Sequence, residues 1–162
     1  MTQSLLLETS KDIGTFTGDM EDAQRQATFP GSYDSLTGIA EFFRCATQEA
    51  GFDDAAAYQI ELAIDEAATN IIEHAYGGEG RGEIECAYQV TEKGLTIFLK
   101  DHGLPFDPDL VNSPDILATI EKRNNHGYGI YLIRKLMDEV SFEFSKRKGN
   151  LLILVKYKVQ GT

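Results

Sequence analysis

Apolar positions along the chain alternate in some stretches and recur every three or four residues in others, and glycines separate the two kinds. Arg25–Phe29 alternates and predicts a strand stopped by Pro30-Gly31. Leu36, Ile39, Ala40, Phe43 and Ala46 or Thr47 follow at helical spacing. They predict a helix from Ser32 or Asp34 to about Ala50, ended by Gly51. A second, longer helix is capped by Asp53 or Asp54 and carries the stripe Leu62, Ala63, Ala67, Ile71 and Ala75. Gly77-Gly78-Glu79-Gly80 breaks it after about Ala75. Glu83–Val90 and Leu95–Lys100 read as a hairpin turning at Thr91–Gly94. Tyr128–Val140 reads as a third helix, with Ile130, Leu132, Ile133, Leu136, Met137 and Val140 apolar. Strands Ser141–Lys146 and Leu151–Val159 close the chain around Gly149-Asn150.

Hairpin-joined strands interleaved with three helices predict an α+β fold. The expected form is a two-layer α/β sandwich: a mixed, mostly antiparallel sheet with the three main helices on one face. The length of 162 residues suits one domain, expected over residues 25–160. Residues 1–24 are expected to form an N-terminal arm or short edge strands at Leu5–Leu7 and Thr15–Thr17. The stretch Asp101–Gly129 has no strong pattern beyond a short helix starting at Ser113-Pro114-Asp115. A loop that long inside a small domain is commonly a functional lid or disordered.

The net charge of −11 argues against non-specific binding to nucleic acid or to an anionic membrane. No stretch approaches the roughly 20 apolar residues that cross a bilayer. The opening MTQSLLLETSKD is too short in its apolar run for a secretory signal, so a cytoplasmic location is expected. Cys45 and Cys86 form no CxxC pair and read as core thiols. Three histidines without ligand spacing argue against a histidine-based metal site.

Three short stretches can carry chemistry. In ELAIDEAATNIIEHAY, Glu66 and Asn70 are one helical turn apart on one face, and Glu73 and His74 continue that face. Such a pair can hold a hard cation on the Asn carbonyl oxygen and take a proton on the Glu; taken alone, it reads better as a solvated helix face. In DHGLPFDPD, Asp101 ends a strand and Gly103 follows, so an acceptor sits where a flat ring can lie on bare backbone. Pro105, Phe106 and Pro108 stiffen the exit. In NNHGYGIYLIRKLMDEV, Gly127 and Gly129 flank Tyr128 and precede Ile130, where the unpaired amides of a helix start bind phosphate well. No G-K-[ST] follows, so this is not a Walker loop.

Taken together and in this order, the three stretches make the chain resemble the GHKL ATPases. Within them it resembles the small anti-sigma factor serine kinases of the RsbW type. The likeness runs from about Arg25 to Val159. The resemblance implies a Bergerat-type histidine-kinase-like ATPase fold that binds ATP and Mg2+. It implies Asn70 as the magnesium ligand, Glu66 as the general base, and Asp101 with Gly103 at adenine. Gly127 and Gly129, with Tyr128 and Ile130 beside them, would lie at the phosphates. Phe106 would line the nucleotide, His74 would sit behind the direct contacts or on the solvated surface, and Pro108–His126 would be the lid. Activity, by the same likeness, is ATP-dependent phosphorylation of a serine on an anti-sigma factor antagonist, with a sigma factor as a further partner and a homodimer as the assembly. Asn125-His126 replaces the Arg or small residues usual in that family, with Lys122 and Arg123 upstream. Asn150-Leu151 replaces a Thr after Gly149, and both departures are expected to bear on the γ-phosphate. Two other readings compete: a non-catalytic, ATP-gated binding module, and a stand-alone histidine-kinase catalytic domain. The Glu four residues before Asn70 disfavours the second of these.

Overall fold

A computed structural model describes residues 19–105 and 126–159. The expected edge strands at Leu5–Leu7 and Thr15–Thr17, the short helix at Ser113-Pro114-Asp115, Phe106 and most of the expected lid lie outside the described residues. After a 3-10 turn at Met20–Asp22, the order is β1 (Arg25–Pro30), α1 (Ser35–Ala50), α2 (Asp54–Asn70), β2 (Glu83–Val90), β3 (Gly94–Asp101), α3 (His126–Leu136), β4 (Glu139–Ser145) and β5 (Gly149–Tyr157).

The five strands pair in the order β1-β2-β3-β5-β4, and each pairing is antiparallel. The mixed, mostly antiparallel sheet expected from the hairpins is therefore antiparallel throughout the described residues. Ile84, Cys86, Tyr88, Leu95, Ile97, Leu99, Leu152 and Leu154 alternate onto the helix side. There they form one core with Ile39, Phe43, Ile60, Ile64, Ile72 and Ile133 from the helices. Burying each large aliphatic side chain contributes about 1.5–3 kcal/mol. The other face is also dry at its centre, where Ala87, Thr96, Phe98 and Val155 are buried. β3 is accordingly buried on both faces from Leu95 to Leu99.

Helix ends follow local chemistry. Asp53 Oδ1 accepts the Ala56 amide at 2.8 Å and caps α2 as the sequence suggests, worth about 1 kcal/mol. Gly51 ends α1 in the left-handed conformation, its amide bonding to the carbonyls of Thr47 and Gln48. Beyond Asn70 the helical path continues over Ile71–Ala75, but as a π turn, with the Tyr76 amide bonding back to the Ile71 carbonyl. Helix α3 differs from its expected span at both ends. It begins at His126, two residues before Tyr128, and stops at Leu136, before Val140. The early stop has a physical cause. Lys156 Nζ from β5 donates to the Leu136 carbonyl at 2.6 Å, and the Asp138 amide already bonds to Val155 of the sheet at 2.9 Å. Val140, which continues the helical apolar pattern, instead pairs with Leu154 in β4.

Cys86 is buried and its thiol is pushed up to about 12 by burial. Cys45 is exposed, contrary to its expected core position, because α1 turns that residue away from the sheet.

Candidate functional site

Glu66 and Asn70 lie one turn apart on the side of α2 that meets the first turn of α3. The contact is close. A Cβ on Gly129 would stand 2.9 Å from Asn70 Nδ2, 3.1 Å from Glu66 Oε2 and 3.2 Å from Asn70 Oδ1. The bare glycine lets the α3 backbone approach both side chains without displacing them. Asn70 Nδ2 is buried and has no hydrogen-bond partner among the described residues. Leaving such a group unpaired costs about 1–3 kcal/mol, and an orphan of this kind points to a ligand or ordered water. A half-turn of the amide presents Oδ1 from the same place. Glu66 is half-buried. Its carboxyl is held above the ordinary carboxylate range, first by burial and then by the charges of Asp65 and Glu73.

The opposite end is built from the last residue of β3. Asp101 is only 5% exposed. Its Oδ1 accepts the Gly103 amide at 2.9 Å and Asn150 Nδ2 at 2.8 Å. Burial pushes this carboxyl up, and the bonds from Asn150 and Gly103 and the nearby His102 oppose the shift. Gly103 packs on the end of the π turn, where a Cβ would overlap the Ala75 carbonyl. That carbonyl accepts the Leu104 amide at 2.8 Å. The Tyr76 hydroxyl adds a second tie, donating to the Glu83 carbonyl at 2.5 Å and accepting the His102 amide at 3.0 Å. The segment after β3 is thus fastened to the end of the second helix.

Between these ends lies an open cleft, the kind of concave place where small molecules bind. Ala67, Ile71, Ile130, Ile133, Leu152 and Phe142 give it apolar sides, and Asn70, His74, Asp101 and Asn150 are its polar points. Apolar walls with a carboxylate at one end suit a heteroaromatic ring bearing an amine. A carboxylate, an amide and a helix start at the other end suit phosphates and a hard cation. Among the described residues no cluster of three or more His, Cys, Asp or Glu is placed to hold a metal. A cation here would take few protein oxygens, as magnesium does when phosphates and water complete its shell. The orphaned Asn70 amide and the glycine-lined approach fit both magnesium and a nucleotide.

Seven of the residues singled out from sequence converge on this cleft or its wall: Glu66, Asn70, His74, Asp101, Gly103, Gly129 and Ile130. Gly127 and Tyr128 lie in the first turn of α3 rather than before it, since the helix starts at His126. Phe106 lies outside the described residues. The family likeness puts Asn150 near the γ-phosphate, but it stands against Asp101 at the opposite end. Pairing the final hairpin with β3 would have found this position, because that register sets Asn150 directly across from Asp101. The apolar walls supplied by Ile133 and Phe142 carry no signal apart from ordinary core periodicity.

The family described as the histidine kinase-like ATPase domain matches residues 29–156. The serine-protein kinase RsbW of Listeria monocytogenes is 32% identical over 127 residues, covering 76% of this chain and 75% of the relative. RsbW of Bacillus cereus is 35% identical over 102 residues, covering 60% of this chain and 62% of the relative. Among solved structures, a nucleotide-free catalytic domain of the histidine kinase ThkA superposes with a TM-score of 0.50 at 15% identity, covering 83% of this chain and 97% of that domain. Likeness at that identity supports the fold alone.

Proposed function

The chain belongs to the histidine kinase-like ATPase family and groups there with the RsbW serine-protein kinases, and from that premise we propose that it is an ATP- and magnesium-dependent protein serine kinase of the partner-switching type. Its substrate in this reading is a serine hydroxyl on an anti-sigma factor antagonist. A sigma factor is its second partner, and the working form is a homodimer acting in the cytoplasm. The functional unit is residues 25–160. No helix among the described residues is long and apolar enough to cross a membrane.

Each residue has a separate task. Asp101 accepts the exocyclic amine of adenine, and Gly103 lets the ring lie against backbone. Asn70, its amide turned over, would hold magnesium through Oδ1. Gly127 and Gly129 bring the opening amides of α3 to the phosphates, with Tyr128 and Ile130 beside them and His74 on the cleft wall. Glu66 takes the proton from the incoming serine hydroxyl, and burial together with Asp65 and Glu73 raises its affinity for a proton, as that task favours. Bound magnesium and ATP supply the transferable phosphoryl group and the neutralisation of its charge, so positioning is the protein's main contribution.

The observation that carries this reading is the buried, unpartnered Asn70 amide one turn from a proton-hungry Glu66, both facing a glycine-built helix start. The test is incubation with labelled ATP, magnesium and candidate antagonist proteins. Transfer of label to a serine is expected, and Asn70→Ala should abolish magnesium-dependent nucleotide binding by calorimetry. Nucleotide binding without transfer to any antagonist would favour a non-catalytic, ATP-gated module. No heat with magnesium ATP would refute the reading.

A further inference from the structure

We propose that the first 18 residues of the chain lie across the outer face of the sheet, the face turned away from the helices, and close it to other proteins. The inference concerns the side of the molecule opposite the cleft and does not depend on the nucleotide reading above.

The register sorts the strand residues onto two faces. Gln26, Ala87, Phe98, Ile153 and Ser141 are cross-strand partners in one row, and Thr96, Val155 and Glu139 in the next. Neither row belongs to the core that the helices close. An antiparallel sheet covered on one face alone leaves such positions in water. Yet Ala87 is 0% exposed, Phe98 1%, Thr96 2% and Val155 4%. The rim of the same face is open: Gln26 and Thr28 on β1 are exposed, as are Ser141 and Glu143 on β4. The dry strip therefore runs over β2, β3 and β5, about 10 Å across. One extended chain segment with its side chains has that width. A second sheet packed face to face would dry the rim as well.

The start of the described chain says which segment this is. Gln26 Nε2, on the outer face, donates to the Met20 carbonyl at 3.0 Å and to the Glu21 carbonyl at 3.1 Å. Asp19, Met20 and Glu21 share a hollow with Lys100, Leu151 and Glu143, which form the adjoining row of that face. The chain before Asp19 thus arrives over the middle strands and not beside an edge. Eighteen residues reach about 60 Å when extended, several times the breadth of the strip. They carry Leu5, Leu6, Leu7, Ile13 and Phe16 to meet it. Leu104 and Ile130, which flank residues 106–125, both line the cleft on the helix side. Residues 160–162 are too few to cross three strands. Bare apolar faces are places of association. With the first 18 residues across it, this face is closed to a second copy, and pairing of copies has to use another surface.

The chain has no tryptophan, so Phe98→Trp in the full chain places a single indole on this face. Ile153→Trp, half-buried in the same row, serves if the first variant does not fold, with circular dichroism as the check. The indole should emit in the blue and resist quenching by iodide, equally at low and high protein concentration. Two pairs of substitutions are then added separately, Leu5→Asp with Leu7→Asp and Ile13→Asp with Phe16→Asp. At least one pair should shift emission to the red and raise quenching several-fold. Shielding that grows with protein concentration would give the face to a second copy. Shielding unchanged by both pairs would give it to some other cover. Either result overturns the inference, as does free access of iodide to the indole before any second substitution. None of these readouts involves nucleotide, so they stand or fall apart from the kinase reading.

Discussion

Gly129 stands so close to Asn70 that a Cβ on it would come within 2.9 Å of the Asn70 amide nitrogen. The start of α3 is thus fitted to the Glu66–Asn70 face of α2 at the level of a single missing methyl group. Gly129→Ala should push Asn70 and Glu66 out of line, at an overpacking cost of about 1–3 kcal/mol. Denaturant unfolding should register that loss, and phosphoryl transfer should fall further than stability alone explains. Parental transfer by a Gly129→Ala protein would show that this approach is not needed.

Glu66→Gln keeps the shape and removes the carboxylate that the proposed mechanism uses as its base. Magnesium-dependent ATP affinity should stay within about twofold, while transfer falls by about a hundred- to ten-thousand-fold. Single-turnover transfer with calorimetric binding separates the two. Unchanged transfer would remove Glu66 from the chemistry.

The pH dependence of transfer has a stated sign. A base acts only when ionised, so the rate should rise with pH through the Glu66 titration. That titration is raised by burial first, then by Asp65, then by Glu73. Asp65→Asn and Glu73→Gln should each move the acidic limb of the rate profile to lower pH, Asp65→Asn by more. A limb that stays in place in both variants would show that some other group controls it.

Asp101 carries a conflict between stability and binding. Its carboxyl is held above the ordinary range mainly by burial. The folded state therefore holds its proton more tightly than the unfolded chain does. Stability is lost as pH rises from the unfolded titration through the folded one, and the loss is complete above it. Asp101→Asn removes that ionisation, so the variant should melt no lower than the parent at neutral pH. Any advantage should fade in acid, where both forms are neutral. Nucleotide affinity should meanwhile fall sharply. Melting curves across pH, with and without magnesium ATP, check both halves.

The strands were legible because alternation and glycine punctuation are local properties. Arg25–Pro30, Glu83–Val90 and the final hairpin all fall close to where the pattern puts them. Asp53 and Gly51 were legible as caps for the same reason. The cleft was legible as three boxes whose members do meet, with Asn70 facing Gly129 and Asp101 bonded to Gly103. The features that sequence could not supply are set by contacts distant in the chain. Lys156 stops α3 at Leu136, so the apolar spacing through Val140 overran the true end. The π winding of Ile71–Ala75 leaves no mark in side-chain periodicity. Asn150 could be matched to a family position, but its bond to Asp101 emerges only once β5 is laid beside β3.

The wide turn at Ile71–Ala75 makes residue count a functional quantity. Each residue of an ordinary helix rotates the chain beyond it by about 100°. Shortening this stretch by one would swing the Ala75 carbonyl away from the Leu104 amide, and the Asp101–Gly103 bend would lose its mooring. Between the Asn70 amide and the Ala75 carbonyl the chain acts as a ruler, and substitutions there should be tolerated far better than insertions or deletions.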